Sequence, residues 1–501
     1  MNRTPCFIFI LGIMAFAFAF ADKPNIIFMM CDDLGYGDVS CLNPTGKIPT
    51  PHIDRLAKEG MTYTDAHSGS SVCTPTRYGL LTGRYSWRTR LQKGVVQGFA
   101  PCLIAPDRLT VAGLLQQKGY HTGIVGKWHL DFQYADPKTN QILTRNKLKL
   151  APVGSRIPDG PLTRGFDYFH GFHHARDMEG VIEGDTVIEH DDVVNMLPRT
   201  DRQSVAYIEA RAKDKKPFFL YIPYGSPHTP IVPTPEWAGK NPMGSYADFV
   251  MQNDAAVGNV LDALDRTGLT ANTLVIFTSD NGCSKAARIP DMLKHGHRVS
   301  GPYRGSKADI WDGGHRVPFL VRWPEKIKAG TTCAETICHV DFMATVADLL
   351  RADLPGNTAE DSVSYLPTFS GGKLESKRAG IVHHSVSGHF AYRSGKWKLI
   401  LARASGGWTS PKENEAGKDT PKAQLYDMIE DFAETNNLYD QHPEIVQRLL
   451  KQLESDVFSG RSTSGPASKN DVAAKEIILW KSERRDTNKS NPGKKRNSKK
   501  S

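Results

Sequence analysis

The sequence predicts an α/β protein with a large, mixed but mostly parallel sheet sandwiched by helices, followed by a smaller C-terminal α+β unit. Two observations predict it. Short continuous apolar runs alternate with amphipathic helical patterns over residues 24–350, and closely spaced strand candidates follow near residue 375. Continuous apolar runs are typical of strands that helices cover on both faces. The 501 residues are 39% hydrophobic and 23% charged, which excludes a mainly disordered chain.

The first 21 residues predict a cleavable signal peptide. Arg3 is followed by an apolar stretch from Phe7 to Phe20 and by a small residue on either side of Phe20. These are the charged, hydrophobic and cleavage regions of such a peptide. The apolar stretch is too short to span a bilayer comfortably. We therefore expect cleavage between Ala21 and Asp22, and a secreted or periplasmic protein without a membrane span.

Four apolar runs predict the central strands of the sheet. They cover residues 25–30, 122–125, 218–222 and 274–277. Apolar residues at helical spacing predict helices over 109–118 and 249–264. Residues 141–200, which are rich in Pro, Gly, Asp and Arg, predict long loops.

The C-terminal unit is predicted from a change in the pattern. Strand candidates separated by turn residues cover 380–383, 388–393 and 397–401, and a helical pattern runs from 443 to about 457. The expected divisions of the chain are a signal peptide over 1–21, a main domain over 22–375, an α+β subdomain over 376–480 and a basic disordered tail over 481–501.

The net charge of +9 comes mostly from the end of the chain. Residues 481–501 hold nine Lys or Arg and two acidic residues, so the remainder is nearly neutral. Such a run is expected first to be solvated and disordered, and second to be an arm for polyanions. No aromatic residue lies between these charges to stack on bases. We therefore expect no nucleic acid partner.

Polar residues follow each of the four predicted strands. In chain order these are Asp32 and Asp33, then Lys127 and His129, then His228, then Asp280 and Asn281. In open α/β sheets, ligands bind outside the carboxyl ends of the strands. The four clusters therefore suggest one convergent site.

The oxygen-bearing residues of these clusters suit a hard cation. Asp32, Asp33, Asp280 and Asn281 provide oxygen ligands only, which favours Ca²⁺ or Mg²⁺ over zinc. Clustered carboxylates repel one another unless a cation lies between them. The alternative is that both segments are simple turns, because Asp, Asn and Gly favour turns for local reasons. The residues alone leave both interpretations open.

Cys73 is expected at the N-terminus of a helix, with Thr74 as the N-cap and Pro75 as the first helical residue. Backbone N–H groups at a helix N-terminus favour an anion, and Arg77 adds positive charge. This suggests a use for the cysteine beyond packing, the alternative being a small buried hydrophobe. Loss of Cys6 with the signal peptide leaves seven cysteines, so at least one is unpaired or modified.

The segment Cys73-x-Pro75-x-Arg77, followed by Leu81-Thr82-Gly83-Arg84, resembles the signature of the type I, formylglycine-dependent sulfatases, an arylsulfatase-like family of the alkaline-phosphatase superfamily. Other segments resemble family elements in the same order along the chain, from about residue 24 to 457. They are Asp32-Asp33-Leu34-Gly35, Gly126-Lys127-Trp128-His129-Leu130, Ser226-Pro227-His228, Asp280-Asn281-Gly282 and Arg304-Gly305-x-Lys307. The resemblance implies an alkaline-phosphatase-like fold, with residues 22–375 as the catalytic domain of a sulfuric ester hydrolase.

The resemblance also implies the chemistry of the site. A maturation enzyme would convert Cys73 into formylglycine, whose hydrated form attacks sulfur beside a divalent cation, with Ca²⁺ expected and Mg²⁺ as the alternative. The residues assigned to the metal are Asp32, Asp33, Cys73, Asp280 and Asn281. The residues assigned to catalysis are Cys73, Arg77, Lys127, His129, His228 and Lys307. The Arg and Lys residues would add positive charge, His129 would help deprotonate the nucleophile, and His228 would protonate the leaving oxygen or bind sulfate.

The substrate class is predicted less directly. Export, together with His173, His174 and Arg176 in the predicted loops, favours a sulfated carbohydrate over a steroid or lipid. A 6-O-sulfated galactose or N-acetylgalactosamine unit is the expectation from glycan-acting members of the family. Two alternatives remain: a phosphate or phosphonate ester hydrolase of the same superfamily, and a non-catalytic secreted binder of sulfated glycans.

Overall fold

The computed structural model describes residues 23–145, 148–374 and 378–481. The predicted signal peptide, the predicted boundary between residues 375 and 376, and all but the first residue of the predicted basic tail lie outside the described residues. Within these ranges, no helix combines the length and the apolar character that crossing a bilayer requires.

Strands and helices alternate along most of the described chain. The strands are β1 (Asn25–Asp32), β2 (Met61–Tyr63), β3 (Ala66–His67), β4 (His121–Lys127), β5 (Tyr168–Phe172), β6 (Gly180–Glu183), β7 (Thr186–His190), β8 (Phe218–Pro227), β9 (Thr273–Ser279), β10 (Phe319–Arg322), β11 (Thr331–Cys333), β12 (Ile337–Cys338), β13 (Ile381–His384), β14 (Phe390–Ser394), β15 (Trp397–Ile400) and β16 (Gln424–Asp427). The α-helices are α1 (Pro51–Glu59), α2 (Cys73–Thr82), α3 (Val111–Gln117), α4 (Met196–Arg211), α5 (Ser245–Thr267), α6 (Ile289–Lys294), α7 (Asp312–His315), α8 (Phe342–Leu349) and α9 (Pro443–Phe458).

The main sheet is mixed and mostly parallel. Its ten strands lie in the spatial order β11-β2-β10-β9-β1-β8-β4-β5-β6-β7. The central pairs from β9 to β5 are all parallel, whereas β10, β6 and β7 pair in antiparallel fashion. The four strands predicted from apolar runs are β1, β4, β8 and β9, which lie next to one another at the centre. The predicted fold class is confirmed.

Helices cover both faces of this sheet, which explains why its central strands are apolar throughout. In β1, Phe28 and Met30 point into one core, and Ile27 and Met29 point into the other. Helices α2, α3 and α8 contribute to the first core, and α1, α4 and α5 to the second. A strand buried on both faces has no solvent side on which to place polar residues.

Among the described residues, the prediction of long loops over 141–200 holds up to residue 160 and is wrong beyond residue 167. The segment contains β5, β6 and β7 and the beginning of α4. These strands extend the main sheet to its edge, where β7 buries only Val187 and exposes its last three residues. An edge strand that is half exposed needs no continuous apolar run, so the composition of the segment concealed it.

The C-terminal unit is an antiparallel sheet with the order β13-β14-β15-β16, and α9 packs on one of its faces. The opposite face packs against Ile310 and Trp311 of the main body. Beside this contact, the Lys398 ammonium donates to Asp312 Oδ1 and to Glu434 Oε1, at 2.7 Å each. Apolar packing and a buried ion cluster therefore join the two units.

Candidate active site

Adjacent strands of the main sheet bring the predicted site residues to one edge. β1 ends at Asp32, β4 ends at Lys127, and β9 ends one residue before Asp280. β8 ends one residue before His228. Because these strands are parallel neighbours, their carboxyl ends meet on the same side of the sheet, as ligand sites of open α/β sheets require.

Helix α2 brings Cys73 to this edge. The helix begins at Cys73 with Val72 as its N-cap, so its cap lies two residues before the expected cap at Thr74. Cys73 Sγ lies 3.4 Å from Asp32 Oδ1 and 3.4 Å from the Lys307 ammonium nitrogen. The side chain is buried and is not part of a disulfide. Its sulfur thus contacts both a carboxylate and an ammonium group.

The oxygen-bearing residues form one buried cluster. Asn281 Nδ2 donates to Asp33 Oδ1 at 2.8 Å, and the backbone N–H of Asp33 donates to Asp280 Oδ1 at 3.2 Å. Asp33 Oδ2 and Asn281 Oδ1 are buried and have no hydrogen-bond partner within the described part of the chain. Because a buried acceptor left unpaired costs free energy, these two oxygens favour a ligand at this place.

Three cationic side chains balance the carboxylates. Arg77 Nη2 lies 2.8 Å from Asp280 Oδ2, the Lys127 ammonium contacts Asp32, and the Lys307 ammonium contacts Asp33. All three cations lie in the interior. Their positive charge would also attract the oxygens of an anionic substrate.

The carboxyl groups of Asp32 and Asp280 have different pKa values because their neighbours differ. Burial raises the pKa of Asp32, but the cations Lys127, Arg77 and Lys307 outweigh this effect and hold it well below its usual range. Burial and the charge of Asp32 raise the pKa of Asp280 to about 7. A cation held between these groups would favour the ionised form of both.

The residues present fit a divalent metal ion. Asp32, Asp33, Cys73 and His228 each direct one ligand atom into the same space, with these atoms within 4.8 Å of one another. The two unpartnered oxygens of Asp33 and Asn281 add acceptors there. Carboxylate and amide oxygens in this number are the ligands that Ca²⁺ and Mg²⁺ prefer.

The two predicted histidines lie on different sides of the cluster. His228 Nε2 is 3.6 Å from Asp33 Oδ2 and the residue is half-buried. His129 is fully buried, and its Nδ1 has no hydrogen-bond partner. Burial lowers the pKa of both rings, and Lys127 lowers that of His129 further. Both rings are therefore neutral near pH 7 and can accept a proton.

A pocket of about 480 Å³ opens above Cys73, and His129, His228 and Lys307 line it. His174 and Arg176 also line the pocket, as expected of a substrate-facing segment. His173 does not line it. Its Nε2 instead accepts from the backbone N–H of Asp131 at 3.1 Å.

The C-terminal unit contributes two pocket residues, Val386 and Trp408. Sequence reasoning missed both. Neither lies within a motif or after a predicted strand of the main sheet, so only the packing of the two units shows that they reach the site.

This fold, with clustered carboxylates and buried cations around a deep pocket, is that of a hydrolase acting on oxyanion esters. The comparisons with known proteins identify the ester. The Sulfatase family model matches residues 24–352, and the chain belongs to the sulfatase family, whose members are sulfuric ester hydrolases. A second model, N-sulphoglucosamine sulphohydrolase, C-terminal, matches residues 306–459. The predicted family membership is confirmed.

Individual relatives agree with the family assignment. The N-acetylgalactosamine-6-O-sulfatase of Bacteroides thetaiotaomicron is 34% identical over 489 residues, which cover 87% of this chain and 93% of the relative. Bovine arylsulfatase A is 31% identical and covers 91% and 92% of the two chains. A solved structure from work on the metabolism of multiple glycosaminoglycans by Bacteroides thetaiotaomicron has a TM-score of 0.75 and 30% identity, covering 87% of this chain and all of the other.

Proposed function

We propose that this sulfuric ester hydrolase acts on sulfated carbohydrates through a formylglycine formed from Cys73 and a bound divalent cation, with Ca²⁺ expected and Mg²⁺ as the alternative. The position of Cys73 is the observation that carries the proposal. Its sulfur lies 3.4 Å from Asp32 Oδ1 and from the Lys307 ammonium, beside two buried unpartnered oxygens. A maturation enzyme that converts Cys73 is the protein partner this proposal requires.

When present, formylglycine supplies an oxygen nucleophile and the cation polarises the sulfate oxygens. Asp32, Asp33, Asp280 and Asn281 would hold the cation, together with the residue at position 73. Arg77, Lys127 and Lys307 would bind and neutralise the sulfate oxygens, since their ammonium and guanidinium groups already converge on this cluster.

The two histidines would handle the protons. Among the residues that the structure describes, His129 Nδ1 has no hydrogen-bond partner, so it is the atom to accept a proton from the nucleophile. His228 lies next to Asp33 and is half-buried, where it would bind sulfate or, once it has itself taken up a proton, donate that proton to the leaving oxygen.

Two features support a sugar as the leaving group. The relative with 34% identity is named as an N-acetylgalactosamine-6-O-sulfatase, and the polar side chains of His174 and Arg176 line the pocket beside apolar ones. A 6-O-sulfated galactose or N-acetylgalactosamine unit is the proposed substrate. The predicted signal peptide over 1–21 would place this reaction in the periplasm or outside the cell.

Sulfate release from defined sulfated mono- and disaccharides tests the proposal. The wild-type protein should release sulfate from 6-O-sulfated galactose or N-acetylgalactosamine units. Cys73→Ala should abolish release while the thermal unfolding midpoint stays near that of the wild type. Cys41→Ala is the matched control, because Cys41 is an exposed free cysteine outside the site. It should retain full turnover.

Three results would contradict the proposal. Sulfate release by clean Cys73→Ala protein would remove the proposed nucleophile. Hydrolysis of phosphate or phosphonate esters in preference to every sulfated sugar would favour the other hydrolases of the superfamily. Binding of sulfated sugars without turnover by protein that carries formylglycine would favour a binding role.

A further inference from the structure

Trp408 is an aromatic side chain in the wall of the pocket, where packing within the protein alone does not explain its position. It belongs to the C-terminal unit, lines the pocket above Cys73 and leaves 37% of its surface exposed. Large aromatic residues usually bury most of their area. Ligand pockets combine such apolar surfaces with a few polar groups that fix orientation. An exposed indole in the wall of a catalytic pocket therefore points to a ligand.

From this placement we infer that Trp408 forms a saccharide-binding subsite, in which the indole face packs on the apolar C–H face of the sugar ring that bears the sulfate. The inference rests on the proposed function and names how its substrate is recognised. A pyranose ring presents C–H groups on one face and hydroxyls at its edge. The indole would pack on the C–H face. Arg176 and His174, which line the same pocket, provide hydrogen-bonding groups for the hydroxyls.

The indole is supported from outside the pocket. The Lys285 ammonium lies over the Trp408 ring, 4.9 Å from its centroid, and Lys285 does not line the pocket. A cation over an aromatic face is attracted to it. The contact therefore comes from a residue that is not part of the pocket wall.

The backbone of Trp408 is tied to the segment that carries Lys307. The backbone N–H groups of Trp408 and Thr409 donate to Asp309 Oδ1, at 2.9 and 3.0 Å. Gly407 packs so closely that an added Cβ would lie 2.4 Å from the backbone oxygen of Ala308. The indole is therefore positioned by the same turn that directs Lys307 to Cys73.

The turn that follows Lys307 also forms backbone hydrogen bonds to both sides of the site. The backbone N–H of Ala308 donates to Ser71 O at 2.8 Å, close to Cys73, and the backbone N–H of Val386 donates to Ala308 O at 3.1 Å. Val386 lines the pocket beside Trp408. The sulfate end and the sugar end of the pocket are thus held at a fixed separation, which favours binding with little reorganisation.

Binding measured on non-catalytic protein tests the subsite without relying on turnover. A sulfated disaccharide is titrated into Cys73→Ala protein and into the double variant Cys73→Ala/Trp408→Ala. Loss of the indole should raise the dissociation constant about tenfold, which corresponds to ~1.4 kcal/mol. Trp408→Phe, which keeps an aromatic face, should raise it less than about threefold. Inorganic sulfate, which reaches only the catalytic end, should bind all of these proteins equally.

Trp237→Ala is the matched control. Trp237 is also a partly exposed tryptophan with a lysine over its ring, at 4.3 Å from Lys240, but it does not line the pocket. Its loss should leave saccharide binding unchanged. A Trp408→Ala dissociation constant within twofold of the parent, or no saccharide binding by the parent, would overturn the subsite. Failure of the wild-type protein to release sulfate from any sugar would instead overturn the proposed function.

Discussion

The thiol of Cys73 is a weak nucleophile as it stands. Burial, and then the charge of Asp280, raise its pKa well above the usual value, so the side chain is neutral near pH 7. The thiolate is the reactive form of cysteine. An unmodified Cys73 would therefore leave the centre of the site without an effective attacking group, whereas the aldehyde that the proposal requires would supply an oxygen nucleophile.

The oxygens of Asp33 and Asn281 make metal binding measurable through stability. Protein treated with EDTA should gain thermal stability when Ca²⁺ is added, by about 2.7 kcal/mol at a hundred times the dissociation constant. Asp33→Asn should lose most of this gain, because it removes a charge from the two unpartnered ligand oxygens. Asp291→Asn changes an exposed helical carboxylate that pairs with Lys294, and it should keep the full gain. An equal gain in all three proteins would contradict the proposed ligands.

A buried histidine away from the site sets part of the pH dependence of stability. Burial lowers the pKa of His339 to about 3, against about 6.5 in the unfolded chain. The unfolded state therefore binds more protons below pH 6.5, and stability falls as the pH drops through that range. Between pH 7.5 and 5.5, the wild type should lose about 1 kcal/mol more unfolding free energy than His339→Gln, measured by urea denaturation. Equal losses in the two proteins would contradict this assignment.

At the residue scale, the sequence predicts most of the site because its members follow apolar runs directly. Asp32 and Asp280 lie at or just beyond the ends of β1 and β9, where strand pairing alone makes them neighbours. The roles of individual side chains stay predictions. The unpartnered Nδ1 of His129 and the contact of Lys307 with Cys73 depend on side-chain geometry, which no spacing in the chain encodes.

At the scale of elements, the burial of a strand decides whether the sequence predicts it. The central strands β1, β4, β8 and β9 are covered on both faces, so their apolar runs identify them. Strand β6 and the edge strand β7 are short and partly exposed, and their composition resembles that of loops. The start of α2 was misplaced by two residues because Thr74 is a favoured cap residue and Val72 is not. Val72 is the N-cap through its extended backbone alone, without a side-chain hydrogen bond.

The turn after β9 depends on close contact with helix α7. A Cβ added to Gly282 would lie 1.9 Å from the backbone oxygen of Gly313. Gly282→Ala should therefore push the turn away and displace Asp280 and Asn281. We expect a loss of about 1–3 kcal/mol in unfolding free energy together with weaker Ca²⁺ binding, measured by denaturation with and without the metal.

Gly113→Ala is the control for this element. It lies in α3, where the added Cβ would meet its nearest atoms at ordinary contact distances of 3.4 and 3.5 Å. Its stability should equal or exceed that of the wild type, because Ala favours a helix over Gly. If Gly282→Ala were as stable as the wild type and bound Ca²⁺ with the same affinity, the prediction that this turn depends on close contact would be contradicted.

At the scale of the whole molecule, the pocket belongs to both structural units. The main body supplies Cys73 and the cations, and the C-terminal unit supplies Val386 and Trp408. The sequence predicts that both units exist, but not how they pack. Their packing depends on side chains that are far apart in the chain, such as Trp311 against Tyr426.

The buried ion cluster between the units is expected to be critical. Lys398→Met would remove the cation that Asp312 and Glu434 share. Asp312 would keep its ion pair with Arg316, but the buried Glu434 would lose the ammonium it pairs with, and breaking a buried pair in this way costs about 3–5 kcal/mol. The unfolding midpoint should fall accordingly. Lys396→Met removes a half-exposed lysine paired with Asp427, and this change should cost less than about 1 kcal/mol. Similar midpoints for the two variants would contradict a role of the cluster in holding the units together.

The conversion of Cys73 is the claim on which the proposed chemistry depends, and mass spectrometry of the peptide that contains it tests it most directly. The peptide is taken from protein produced in cells that contain the maturation enzyme and shown to release sulfate. The account predicts a mass about 18 Da below that of the cysteine form, as expected for an aldehyde in place of a thiol. An unmodified cysteine mass in fully active protein would contradict it.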